Sequence, residues 1–274
     1  VDPAVGGCLT SVRVDGRPVA AGPVADLVAY DDAGGLWRMG HEYRGGHLRA
    51  VDRAADRPAT VSVDERPDGT AVVTVRSELD GLPTVRQLRF EPDVAAVVVT
   101  TECAAADRRT VVLTSPLDGA PTELVMDQPG GTVRRPVERI FAPTFWPVSS
   151  WVAPDGAGPT VAVEMTRAVA VRDRRTVEVV VARNAVKEKA WGVVPILACP
   201  AKGHEPGVTT AEVVLSWETD EDPAQRGAVA RGLLTRAAPG RFAAAVTGVV
   251  NVEPLDEGPA PEVLALKPAD RGEG

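Results

Sequence analysis

The chain has 274 residues, 44% hydrophobic and 25% charged, enough apolar material to bury a sizeable core without disulfides or metal. Its 30 Lys and Arg against 38 Asp and Glu give a net charge of −8, a field that repels phosphate backbones and anionic headgroups, so nucleic acid and membrane surfaces are excluded as expected partners. The 26 Gly and 24 Pro are scattered between apolar runs, which excludes a low-complexity chain.

The dominant period along the chain is two, in short Val-rich runs bounded by Asp, Gly and Pro, which is strand sequence. Val12-Arg13-Val14 and Arg17-Pro18-Val19 read as a hairpin, because Asp15-Gly16 between them tolerates the positive φ angles of a type I′ turn. A second hairpin joins Val61-Ser62-Val63 to Val72-Val73-Thr74-Val75 through Arg66-Pro67-Asp68-Gly69. Further runs follow at 84–90, 95–102, 110–114, 122–126, 160–165, 167–172, 176–183, 191–197, 211–217, 248–253 and 262–267. One helix is predicted near 223–237, with Asp222 as N-cap, Pro223 in the first turn, Val229, Leu233 and Leu234 on one face, and Pro239-Gly240 as the stop. Gly227 and Gly232 inside it cost about 1 kcal/mol each relative to Ala and keep a loop open as the alternative. Many strands without alternating helices exclude a parallel α/β fold and predict an all-β protein, a large antiparallel β-sandwich.

Cys8, Cys103 and Cys199 are far apart, odd in number and form no Cys-x-x-Cys pair, the usage of reduced, buried thiols in a cytoplasmic protein. No apolar run reaches the ~18–20 residues of a membrane span, and Val1-Asp2-Pro3-Ala4 has neither part of a signal peptide. The absent initiator Met and the polar ending Ala269-Asp270-Arg271-Gly272-Glu273-Gly274 read as a segment of a longer chain.

The chemistry-bearing residues cluster weakly. His41-Glu42-Tyr43-Arg44-Gly45-Gly46-His47 offers two imidazoles and a carboxylate, but Gly45-Gly46 stands where a helical metal motif would need continuous helix, so no metal site is assigned and the stretch reads as a loop with partly exposed histidines. His204 lies in a loop with no second His near it in sequence. Phe141, Phe145, Trp146 and Trp151 are four of the eleven aromatic residues, suited to stacking on a pyranose or, more simply, to a sandwich core. The spacing of five between Trp146 and Trp151 places them on opposite faces of one regular strand, with at least one in the core. The segment from Asp31 to His47, carrying Trp37, His41, Tyr43, Arg44 and His47, is the stretch expected to face a sugar or a neighbouring domain.

Several stretches together are similar to the C-terminal β-domain of family 38 glycoside hydrolases, the α-mannosidases. Gly6-Gly7-Cys8-Leu9-Thr10-Ser11-Val12 resembles that domain's opening strand, and Asp26-Leu27-Val28-Ala29-Tyr30-Asp31-Asp32 with Gly35-Leu36-Trp37 follows it. Phe145-Trp146-Pro147-Val148-Ser149-Ser150-Trp151-Val152 is similar to the family's aromatic, Pro, Val and Trp-Val pattern. Ala201-Lys202-Gly203-His204 leading into Ala211-Glu212-Val213-Val214-Leu215, and Val263-Leu264-Ala265-Leu266-Lys267-Pro268-Ala269, complete the resemblance across the whole chain.

The resemblance implies a β-supersandwich of the galactose-mutarotase-like kind over 1–274, downstream of a catalytic domain that is its partner. In the family that upstream domain holds zinc through His and Asp residues and supplies the aspartate nucleophile that acts on a mannoside. None of those motifs has a counterpart here, so no catalytic residue is carried over and zinc is expected only upstream. Trp37, His41, Tyr43, Arg44, His47 and His204 are the candidate carbohydrate contacts. Two other readings stay open: an independent carbohydrate-binding module, which needs exposed stacking aromatics, and a mutarotase-like sugar enzyme, which needs a His and a carboxylate in one cleft.

Overall fold

The computed structural model describes residues 1–32, 34, 39, 41–42, 48–129, 131–156, 158–184, 207–218 and 222–236, all within the compact unit Val1–Ala237. The strands, in chain order, are β1 (Leu9–Val14), β2 (Arg17–Val24), β3 (Asp26–Asp31), β4 (Ala50–Arg53), β5 (Thr60–Glu65), β6 (Ala71–Leu79), β7 (Leu82–Phe90), β8 (Ala96–Cys103) and β9 (Arg109–Pro116). They continue with β10 (Glu123–Gln128), β11 (Gly131–Pro136), β12 (Trp146–Val148), β13 (Trp151–Pro154), β14 (Thr160–Val163), β15 (Arg167–Arg172), β16 (Thr176–Asn184) and β17 (Thr209–Ser216). One helix, α1 (Pro223–Arg236), follows. Nine strands form one sheet in the order β11-β10-β13-β14-β17-β8-β7-β6-β5, six form a second in the order β12-β15-β16-β9-β3-β4, and β1-β2 is a separate ribbon. Every recorded pairing is antiparallel, so the architecture is the expected all-β sandwich.

Strand alternation builds the core. Leu27 and Ala29 of β3, Val111 and Leu113 of β9, and Val177 and Val179 of β16 meet Val73, Val75, Leu88, Val97 and Val99 of the larger sheet in one buried cluster. Turn chemistry sets the registers. Asp15 (φ 49°) and Gly16 (φ 76°) close β1-β2, and Asp80 (φ 51°) and Gly81 (φ 76°) close β6-β7, both as the paired left-handed residues a two-residue hairpin demands. The β5-β6 hairpin closes through Arg66–Gly69, where the Arg66 amide donates to Thr70 O at 2.8 Å.

The outer face of the nine-stranded sheet is apolar where α1 covers it: Val98, Val125, Trp151, Ala153, Ala162 and Val214 pack against Ala230, Leu233 and Leu234. Asp222 caps this helix, its Oδ1 accepting from the Ala224 amide at 2.9 Å. Gly227 is not a helix breaker here. A Cβ at that position would lie 2.2 Å from the Trp151 indole, so the missing side chain lets the helix lie directly on the ring.

The Gly6-Gly7 pair has a similar origin. Both residues have positive φ, 60° and 69°, and a Cβ on either would clash, at 2.1 Å with Ala54 O or 2.4 Å with Val75. The turn therefore closes against β6 and the 54–56 turn.

Two sequence expectations are revised. Trp146 and Trp151 do not share a strand: Trp146 lies on β12 in the six-stranded sheet and Trp151 on β13 in the nine-stranded sheet. The chain bends at Ser149-Ser150, so the spacing of five links two sheets, with Trp151 buried under α1 and Trp146 packed against the inner core. Strands β3, β4, β11, β12 and β13 join those read from the periodicity. The runs at 191–197, 248–253 and 262–267 lie outside the described residues.

Candidate functional site

The outer face of the six-stranded sheet carries one cluster of buried polar groups. Val28, Val112 and Val180 share this face, with Leu48 packed on them, and beside this apolar row stand Tyr30, Thr110, Glu178, Arg172 and Arg183. Asp32, directly after β3, is fully buried and bound on three sides: Arg183 Nε donates to its Oδ2 at 2.7 Å, the Thr110 hydroxyl to the same oxygen at 2.7 Å, and the Gly34 amide to Oδ1 at 2.9 Å. Burial alone would raise the Asp32 pKa, but the Arg183 bonds and charge, with Thr110 and Gly34, outweigh it and hold the carboxyl below its ordinary range.

A second ion pair lies beside it. Arg172 donates through Nε and Nη2 to the two oxygens of Glu178 at 2.6 and 3.0 Å, a bidentate fork, and Glu178 is 1% exposed. The Tyr30 hydroxyl donates to Glu178 Oε1 at 2.7 Å, and the Arg172 guanidinium lies 4.6 Å from the Tyr30 ring centroid. Desolvation, then the Glu178 charge, pushes the Tyr30 phenol well above its usual value, so it stays a donor at neutral pH.

His41 joins this face to the loop between β11 and β12. It is 1% exposed, its Nε2 donates to Pro143 O at 3.0 Å, and its ring meets Phe145 and Phe141 edge-on at centroid distances of 5.7 and 6.4 Å. Nδ1 is buried without a hydrogen-bond partner among the described residues. The loop is braced by its own bonds: the Arg139 amide donates to Thr144 Oγ1 at 2.9 Å and the Thr144 hydroxyl to Phe141 O at 2.5 Å.

The outcome for the candidate sugar contacts is uneven. His41, expected in a partly exposed loop, is 1% exposed, its ring wedged against the 141–145 loop. Trp37, Tyr43, Arg44, His47 and His204 lie outside the described residues. Trp146 packs on the core, donates Nε1 to Pro136 O at 2.9 Å and carries the Arg135 guanidinium 5.3 Å from its ring centroid, so it does not offer the bare ring a pyranose would stack on. Asp32 entered the sequence reading only as part of the Asp31–His47 stretch, and Thr110, Arg172, Glu178 and Arg183 escaped it. Their only signal was a polar residue interrupting a Val-rich strand, and the same interruption marks every ordinary solvent face.

Among the described residues the mutarotase-like geometry is not assembled, and His47 and His204 lie outside them. Asp32 does act electrostatically on His41, but its oxygens are taken by Arg183, Thr110 and Gly34. Among the described residues no group of three His, Cys, Asp or Glu side chains converges to hold a metal, so zinc has no fitting donor set there. An open cleft on the larger sheet is lined by Arg66, Asp68, Thr70, Arg89 and Glu91, and its charges are engaged locally, Arg89 with Glu91 at 2.9 Å and Asp68 with the Thr70 amide at 2.9 Å. No helix among the described residues is long and apolar enough to cross a membrane.

The fold is that of a two-sheet antiparallel sandwich, and solved structures share it. The chain is similar to part of a glycosyl hydrolase family 38 protein from Enterococcus faecalis, with TM-score 0.60, 11% identity, and coverage of 82% of this chain and 29% of that one. It is similar to part of an α-mannosidase from the same species, with TM-score 0.63, 12% identity, and coverage of 84% of this chain and 30% of that one. The chain thus spans under a third of either protein's length. No protein-family model matches it, and no curated protein does.

Proposed function

We propose that this chain is the noncatalytic C-terminal β-domain of an α-mannosidase-like glycoside hydrolase, a sandwich that buttresses an upstream catalytic domain and borders its sugar site. The observation that carries this reading is the likeness over 82–84% of the chain to about 30% of two much longer proteins, a glycosyl hydrolase family 38 protein and an α-mannosidase. The chemistry of the described face fits a supporting role. A retaining glycosidase needs a free carboxylate nucleophile and a carboxyl with a raised pKa about 5 Å from it. Here Asp32 is held ionised by its partners, and Glu178 spends both oxygens on Arg172.

The test compares the chain alone with the chain fused to the coding region upstream of Val1, assayed for nitrophenol release from an aryl α-mannoside and for zinc by elemental analysis. The expected result is neither zinc nor hydrolysis in the chain alone, with both appearing in the fusion. Hydrolysis by the isolated chain would overturn the proposal in favour of an independent sugar enzyme. An inactive fusion together with measurable mannose affinity of the chain alone would favour a carbohydrate-binding module.

A further inference from the structure

We infer that Asp118-Gly119, in the connection between β9 and β10, is a modification site, the bond at which this chain, while folded, turns aspartate into isoaspartate. The inference concerns the chain's own covalent chemistry and stands apart from the glycosidase reading.

The reaction needs only the chain and water. The Gly119 amide nitrogen attacks Cγ of the protonated Asp118 carboxyl, an N–C bond forms, and the acid hydroxyl leaves with the amide proton as water. Water then opens the resulting succinimide. Attack at Cγ restores aspartate, whereas attack at the former main-chain carbonyl leaves the chain running through Cβ and Cγ and frees an α-carboxylate. Nothing is oxidised or reduced. Glycine after the aspartate favours the step, because no Cβ shields its nitrogen.

The sequence holds five Asp-Gly bonds, all within the described residues, and the fold restrains four of them. Asp15 and Asp80 sit at φ 49° and 51° in two-residue hairpin turns. A left-handed residue, with ψ about +47°, holds the next amide nitrogen away from its own Cβ, and turning it round would break the hairpin. Asp80 is tied further by Arg109, whose Nε donates to Oδ2 at 2.9 Å. At Asp68-Gly69 both reacting groups are occupied: the Gly69 amide donates to Arg66 O at 3.0 Å, and Asp68 Oδ1 accepts from the Thr70 amide at 2.9 Å. Asp155 accepts from the Thr122 amide, the Thr122 hydroxyl and the Glu123 amide at 2.8–2.9 Å. These bonds also favour the ionised carboxylates, which have no hydroxyl to lose. The Thr70 amide and hydroxyl hold Asp68 below its ordinary range, and at Asp155 burial would raise the value but the Glu123 and Thr122 bonds outweigh it.

Asp118 escapes these restraints. It is exposed, as are Gly119 and Ala120, and its φ is not left-handed. Among the described residues its carboxylate makes no hydrogen bond or ion pair, and the main chain of 118–120 makes no hydrogen bond. The segment is fastened on either side, the Leu117 amide donating to Arg175 O and the Thr122 amide to Asp155 Oδ1, both at 2.8 Å. Its peptide planes can therefore turn for ring closure without costing the sandwich a hydrogen bond.

The test incubates the full chain at pH 6, native and in guanidinium chloride, and resolves each Asp-Gly peptide into aspartate and isoaspartate forms by chromatography with electron-transfer fragmentation. In the native chain, isoaspartate should form at 118 about ten-fold faster than at each of the other four, the ratio that 1.4 kcal/mol of barrier gives. In denaturant the five sites should react at similar rates. A native maximum at another Asp-Gly bond, equal native rates at all five, or the same preference for 118 in denaturant would overturn the inference. Asp118→Glu, which cannot close the five-membered ring, should abolish the second form of that peptide, and its persistence would refute the assignment.

Discussion

Two clusters bury guanidinium groups in this sandwich, and they solve the same problem in opposite ways. Inside it, Arg86 of β7 stands level with Val75 and Thr101, is 0% exposed, and donates to two main-chain carbonyls, Ala25 O and Gly6 O. Cys8 bridges Arg86 and Asp26 through its sulfur at 3.7 Å to each, and Asp26 pairs with Arg53 at 2.9 Å. On the outer face, Arg172 and Arg183 remain about one-fifth exposed and each binds a buried carboxylate directly. The interior cation is thus spent on fixing backbone, the N-terminal turn against the start of β3. The outer cations are spent on side chains that other segments also touch. A guanidinium bonded to carbonyls can only hold a fold in place, whereas the outer pairs respond to whatever changes the charge of their partners.

The largest expected effect breaks the inner cluster. Arg86→Met leaves the Ala25 and Gly6 carbonyls unpaired inside the core and should cost about 3–5 kcal/mol, or prevent folding, in urea denaturation at pH 7. A loss under 1 kcal/mol would mean that Arg86 is not the fastening of the N-terminal turn. Arg183→Met sharpens the contrast, because it removes the cation paired with the buried Asp32 carboxylate and should cost about 2 kcal/mol at pH 7. Asp32 has a folded pKa below its ordinary 3.8, so its stabilisation is present above 3.8 and is lost as pH falls through the folded value. The penalty of Arg183→Met should therefore shrink as the pH falls below 3.8 toward the folded Asp32 value, while that of Arg86→Met, whose partners are carbonyls, should stay nearly constant. Parallel pH profiles for the two variants would erase the distinction.

The smallest effect is a labelling pattern. Burial pushes the Cys8 thiol up to about 11, with Arg86 lowering it and Asp26 raising it again, and the residue is 0% exposed. Alkylation at pH 8, mapped by mass spectrometry, should leave Cys8 unmodified in the native chain and label it fully in urea. Rapid native labelling would show that water reaches the inner cluster.

Local chemistry was legible in the sequence wherever it acts over a few residues. Asp15-Gly16 dictated its hairpin because positive φ is a property of the turn residues themselves, and Asp222-Pro223 announced a helix because capping is satisfied within one turn. The Val-rich alternation announced a two-layered all-β protein for the same reason. The sequence also marked the Asp31–His47 stretch as unusual, but not its consequence, since enclosure of His41 depends on Phe141, Pro143 and Phe145, about a hundred residues away.

What only the tertiary structure decided is which side of each strand is the inside. Arg86 and Arg183 read alike in sequence, each a charge in a strand, yet one lies in the core and the other on the outer face. Gly227 read as a weakness in a helix and is the contact that seats the helix on Trp151. Trp146 and Trp151, five residues apart, belong to different sheets. Propensity and turn chemistry are carried by neighbours along the chain, and the sequence by itself determines them. Burial, ion pairing and close packing depend on which distant strands arrive alongside, and that is set only when both sheets close on one core.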